Sequence, residues 1–244
     1  MKLLVASALL PAFLLLWYVY RKDKIEKEPK KMIANLFVAG GLTIISAMVI
    51  EVIGMELLEM VFDPESVAYK LVSNIIIIAG AEEGGKYYIL KKKTWDSPEF
   101  NYTYDAVVYA VAVSLGFAAF ENVLYVVGGG FGVAILRGFT SVPGHAVDSV
   151  FMGCYYGLAK KASVNGQVSK EEGYRTKAIV IPVLLHGFYD FFLSMESGKY
   201  IAIFFGFYII TLIAAIRRVN KLSKNDAPFR AETGSGYYYT DEIM

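Results

Sequence analysis

An all-α fold is predicted, a polytopic membrane helix bundle of about seven transmembrane helices, and three observations carry the prediction. Hydrophobic residues fill 56% of the 244 positions and charged residues only 19%, a balance too apolar for an ordinary soluble domain. Apolar runs recur at close to the length, about 20 residues, that a helix rising 1.5 Å per residue needs to cross about 30 Å of hydrocarbon. The segments between those runs alternate in charge along the chain.

Taken in order, the runs lie at roughly 2–20, 32–54, 67–90, 104–127, 131–160, 177–195 and 199–217, each bounded by charge, Gly or Pro. The first is long, has no small-residue cleavage site and precedes a basic cluster, so it is expected to be a retained anchor. Arg21, Lys22, Lys24, Lys27, Lys30 and Lys31 follow it, whereas Glu56, Glu59, Asp63 and Glu65 follow the second run. Lys91, Lys92 and Lys93 follow the third, Lys160, Lys161, Lys170, Arg175 and Lys177 separate the fifth from the sixth, and Arg217, Arg218, Lys221 and Lys224 follow the seventh. Every second connection is basic, which by the positive-inside rule puts the N-terminus outside and the C-terminus in the cytoplasm. Residues 1–220 form one membrane domain and 221–244 a polar cytoplasmic tail, expected to be disordered. A net charge of +1, with the basic residues split among short loops, argues against nucleic acid as a partner. The lone cysteine, Cys154, allows no intrachain disulfide and is assigned to packing.

Function is sought in the residues that a membrane should exclude, because a charged side chain at mid-helix costs about 2.5 to 3.5 kcal/mol even on lenient insertion scales. The third run holds Glu82, Glu83 and Lys86, the fourth Glu121 and Asn122, the fifth His145 and Asp148, and the sixth His186 and Asp190. Both histidines of the protein are in that set. Residues three or four apart share a helix face, so Glu82 and Glu83 can both reach Lys86, His145 can reach Asp148, and His186 can reach Asp190. The adjacent glutamates point about 100° apart, which lets one face a cavity while Lys86 holds the other. Gly84 and Gly85 permit close approach of a neighbouring helix or a substrate backbone. Plainer roles exist for several of these residues. A Glu–Lys pair can be a structural ion pair, Asn122 can be interhelical glue, Asp148 can fix the tautomer of His145 or sit near the lipid interface, and Lys70 and Arg137 can snorkel outward.

Glutamates and histidines gathered in a low-dielectric site suit the activation of water, with a Glu as general base and imidazoles placing the water or the oxyanion. The sequence has no His-Glu-x-x-His, no Gly-x-Ser-x-Gly and no Gly-x-Gly-Asp partner for Tyr104-Asp105 or Tyr189-Asp190. On Glu82-Glu83-x-x-Lys86, Phe117-x-x-x-Glu121-Asn122, the isolated His145 and His186-Gly187-x-Tyr189-Asp190-Phe191, in that order, the chain resembles the PrsW family, from about Pro11 through the seventh run and including Glu28-Pro29.

That resemblance implies a helical core shared with type II CAAX prenyl endopeptidases and the APH-1 subunit of gamma-secretase. It implies a peptidase over residues 1–220 in the bacterial plasma membrane, making the site-1 cut in a single-pass membrane substrate, an anti-sigma factor. By the same resemblance Glu82 is the general base and Glu83 supports it through Lys86. His145 binds the water or the scissile carbonyl, and His186, oriented by Asp190, stabilises the oxyanion. Glu121 stands where the prenyl endopeptidases place a histidine. Alternatives from other classes are a prenyl-protein endopeptidase, a proton-coupled transporter and a non-catalytic scaffold of the APH-1 kind.

Two further expectations can be compared with the structure. For His145 to reach the depth of Glu82, the fifth run should start at Phe131 and break at Pro143 around a water-filled cavity. A metal-free site is favoured, with zinc on Glu82, His145 and His186 as the alternative; the set leaves one coordination position for water, but three separate spans would have to supply the ligands.

Overall fold

Residues 1–229 are described by a computed structural model, in which the chain is helical and, among those residues, forms no strand beyond one isolated antiparallel bridge between Tyr102 and Pro228. The helices are α1 (Lys2–Lys22), α2 (Lys30–Glu59), α3 (Val67–Val72), α4 (Ala79–Thr94), α5 (Asp105–Phe139), α6 (Ser141–Val164), α7 (Val168–Ser194) and α8 (Gly198–Lys224), with a π-helical turn, Ser73–Ile78, joining α3 to α4. Among the described residues, five stretches are long and apolar enough to cross a membrane: α1, α2, the near-continuous Asp105–Val164, α7 and α8. The run from Val67 to Thr94 is not one of them, since the π turn divides it and α4 carries Glu82, Glu83 and Lys86. Val38, Leu42, Ile45, Val49 and Val52 of α2 and Phe205, Ile209 and Ile210 of α8 are exposed, the apolar outer surface expected where helices face lipid.

Helix α5 forms the centre of the bundle. From Asp105 to Ala119 every residue is buried, and the stretch is rich in Ala and Val with no charge after Asp105, as a helix covered on all sides requires. Small residues set how near its neighbours come. A Cβ at Gly116 would overlap the carbonyl oxygen of Phe37 on α2, and one at Gly40 that of Val113 on α5, so the two backbones touch at reciprocal glycines. Gly116→Ala is therefore expected to force α2 from α5 and lower stability by about 1 to 3 kcal/mol, read as a drop in thermal midpoint in detergent. An unchanged midpoint would show that the contact can open without cost.

The fifth run is broken, though not where the sequence suggested. Gly130, with φ 77°, turns the chain as glycine can, and residues 131–139 fold back along the end of α5, with Ala134 against Val126 and Ala8. A second change of direction falls at Thr140, φ −119° and ψ −69°, after which α6 starts at Ser141 in place of the expected start at Phe131. Pro143 breaks nothing, because it occupies the first turn of α6, where a missing N–H costs no helical bond.

The basic ends of α1, α4, α6 and α8 meet on one face. Ser223 Oγ donates to the Lys22 carbonyl, Lys160 Nζ to that of Trp95, and the hydroxyls of Thr94 and Tyr156 bond at 2.8 Å. Of the expected tail, residues 221–224 continue α8, while Asp226 and Phe229 are hydrogen-bonded to the 101–104 segment; residues 230–244 lie outside the described residues.

Candidate active site

The charged residues singled out along the chain converge at mid-bundle. At 1.5 Å per residue, Glu82 stands about 18 Å along α4 from Thr94 and Glu121 about 24 Å along α5 from Asp105, both measured from the face that carries the basic ends. The π turn prepares this depth. Ser73-Asn74 and a run of four isoleucines, poor helix formers when β-branched, open the wide turn, and Gly187 lets α7 close on it, where a Cβ would lie 2.6 Å from the Cα of Ile75. His186, next to Gly187, is thereby brought to α4.

Lys86 is the hub of the cluster. Its Nζ is fully buried, 3.1 Å from Glu82 Oε2, 2.7 Å from Glu83 Oε1 and 3.2 Å from His145 Nδ1, and lies over the ring of Phe117. An ammonium only donates, so His145 Nδ1 accepts, and the ring's proton is on Nε2, which meets Glu121 Oε2 at 3.0 Å. His186 lies between carboxylates, with Nδ1 3.0 Å from Glu83 Oε1 and Nε2 3.1 Å from Asp190 Oδ2. The imidazoles sit edge to face, 5.2 Å between centroids. Ser114 Oγ, on α5, donates to the His145 carbonyl and fixes the start of α6.

A cavity of about 720 Å³ opens beside this network, between α2, the π turn, α4, α5, α6 and α7. Glu82, Glu121, His145, Asp148, His186 and Asp190 line it. Glu83 does not: it is wholly buried behind them and reaches the site through Lys86 and His186. Asn122 also lies off the cavity, tying Ala8 O of α1 to Arg137 Nε. Asp148 is on the wall, but Lys86 and Glu121 hold the two nitrogens of His145, so the orienting role suggested for Asp148 belongs to them.

Two charged residues of the cavity, Arg137 and Glu51, lie outside the predicted site. Arg137, expected to snorkel outward, turns inward on the folded-back 131–139 segment. Its Nη2 stands 2.7 Å from Glu121 Oε2, a charge contact outside hydrogen-bond geometry, and its guanidinium covers the Tyr125 ring at 3.9 Å. Glu51 of α2 faces the same cavity. A lone charge in an apolar run was the signal for Glu51. Nothing local marks Arg137, whose direction follows from Gly130.

Glu82, Glu83, His145 and His186 each offer a donor atom within 4.8 Å of the others, a set of the right kinds and spacing for a metal ion. As arranged, however, they do not fit one. Both nitrogens of each imidazole are already engaged, and the Lys86 ammonium fills the space between the carboxylates and His145. An ion on Glu82, His145 and His186 would have to displace it.

Residues 28–216 match the family described as PrsW family intramembrane metalloprotease. The chain is similar to "Protease PrsW" of Geobacillus kaustophilus, 34% identical over 89% of this chain and 91% of the relative. It is also similar to proteins of the same name from Oceanobacillus iheyensis, 32% identical over 91% and 97%, and Bacillus subtilis, 33% identical over 80% and 84%. No solved structure matches the chain.

Proposed function

Because this chain belongs to the PrsW family and is an intramembrane protease, we propose that it makes a glutamate-dependent, site-1 cut in a single-pass membrane protein, an anti-sigma factor, in the bacterial plasma membrane. The observation that supports this reading is the meeting of Glu82, His145 and His186 on the wall of one cavity within the bundle, beside Ile44, Met48, Leu136 and Leu193, which suit an apolar helix. Relatives of bacterial origin and five spans support the location. The orientation, N-terminus outside and C-terminus cytoplasmic, is supported by the gathering of the basic ends on one face.

In the proposed reaction Glu82 takes a proton as a water oxygen adds to the scissile carbonyl carbon, then gives it to the amide nitrogen as the C–N bond breaks. His145, its tautomer set by Lys86 and Glu121, places the water through the Glu121 carboxylate that it holds on the cavity wall. His186, on the cavity wall between two carboxylates, stabilises the oxyanion as it develops, with the Lys86 charge acting from behind the wall. Glu83 positions Lys86 and His186. No step passes through a metal, since Lys86 already provides the central positive charge.

Co-expression with single-pass anti-sigma factors tests the reading. Wild type should release the cut fragment, and His145→Ala and His186→Ala should not. Normal cleavage by a folded His186→Ala protein, or cutting confined to prenylated peptides, would overturn it. Purified active protein should also retain its activity after exhaustive chelation and hold well under one zinc per chain. Activity lost to the chelator and restored by stoichiometric zinc would make Glu82, His145 and His186 ligands and displace Lys86 from the centre.

A further inference from the structure

A second buried carboxyl cluster lies at the basic face, away from the cavity, and the reaction makes no use of it. It joins three separate segments: Asp23 after α1, Glu28 before α2, and Asp105 at the start of α5. One oxygen from each lies within 4.8 Å of the others. All three residues are nearly or wholly inaccessible, Asp23 at 1%, Glu28 at 3% and Asp105 at 0%.

The partners of these carboxyls are incomplete. Asp105 Oδ2 accepts from the backbone N–H groups of Asn101 and Tyr102, its Oδ1 is buried without an N–H donor, and its carboxyl lies within hydrogen-bond reach of that of Glu28. Glu28 Oε2 accepts from the Tyr109 hydroxyl. Neither Asp23 oxygen has a donor in hydrogen-bond geometry, although the Glu28 N–H is close enough to favour the anion. Lys27, whose charge favours the Asp23 anion, donates to the carbonyls of Tyr20 and Asp23 and not to the carboxyl oxygens. Asp226 adds to the unfavourable charge around Asp23 while holding Tyr104 N and Thr103 Oγ1.

Burying such a group without a partner costs several kcal/mol, and the usual resolutions are a proton or a metal ion. All three donors are hard carboxylate oxygens. Their spread fits the shell of Ca²⁺, whose opposite oxygens stand about 4.6 to 5.2 Å apart, and exceeds nothing that such a shell allows.

We infer that Asp23, Glu28 and Asp105 form a binding site for a hard divalent cation of the Ca²⁺ kind, which clamps the α1–α2 connection to the start of α5. The ion takes the unpartnered oxygens of Asp23 and Asp105. Through Asp226 and the 101–104 segment, the clamp extends to the residues after α8.

Full-length protein in detergent, stripped with EDTA, should bind one radiolabelled Ca²⁺ per chain, with Mg²⁺ competing weakly. Calcium should raise the thermal midpoint, since an ion held only by the folded state shifts unfolding by mass action. Asp23→Asn and Glu28→Gln should each weaken binding by at least about tenfold, while Glu82→Gln leaves it unchanged. Should Asp23→Asn not fold, Glu28→Gln and the wild-type midpoint decide. No calcium bound at millimolar concentration, or wild-type affinity in the folded variants, overturns the site and leaves three acids sharing protons. Binding that Glu82→Gln removes overturns it too, by placing the ion in the mid-bundle cluster.

Discussion

Glu82→Gln is expected to lower kcat by at least about a thousandfold while leaving the protein folded. Glutamine is nearly isosteric, and its carbonyl oxygen can still accept from Lys86 at the position where Glu82 Oε2 now lies 3.1 Å away. It cannot take a proton from water, the step the reaction requires of this position. Single-turnover cleavage of a reconstituted substrate by wild type and variant, with matched thermal midpoints, measures the effect. A folded variant within tenfold of wild type would remove Glu82 as the base and turn attention to the other carboxyls on the cavity wall, Glu51, Glu121, Asp148 and Asp190. Glu83→Gln should act differently, through the placing of Lys86 and His186.

The largest effect on stability is expected from Lys86→Met. This substitution keeps most of the side-chain volume and deletes the charge that Glu82, Glu83 and His145 share. Glu83 is wholly buried, and its Oε2 has no partner even with the lysine present, so the variant strands a carboxylate in the bundle interior. Removing one partner of a buried ion pair costs about 3 to 5 kcal/mol. Unfolding in a graded detergent mixture should show a loss of that size, and Glu83→Gln combined with Lys86→Met should recover part of it, because the stranded charge is then gone. Equal stability of Lys86→Met and wild type would mean that the cluster is open to water.

The local chemistry of this site was legible one helix at a time. Glu82, Glu83 and Lys86 on α4, and His186 and Asp190 on α7, pair at i,i+3 and i,i+4 as the spacing requires. His145 shows the limit of such reasoning, for its i,i+3 neighbour Asp148 is not the residue that holds it. Lys86 on α4 and Glu121 on α5 take its nitrogens, and no periodicity within α6 could have named them.

By itself the sequence determined that this chain is a bundle of membrane helices, because apolar length and loop charge are local properties that the bilayer reads directly. It also determined which residues to suspect, since a charge in hydrocarbon is costly wherever the fold puts it. Only the tertiary structure decided which of them face the cavity, leaving Glu82 on the wall and Glu83 behind it. It alone turned Arg137 inward and brought Asp23, Glu28 and Asp105 together from three segments. The physical reason is that these placements depend on Gly130, the π turn and the reciprocal glycines of α2 and α5, whose effect is to set the direction and spacing of whole helices.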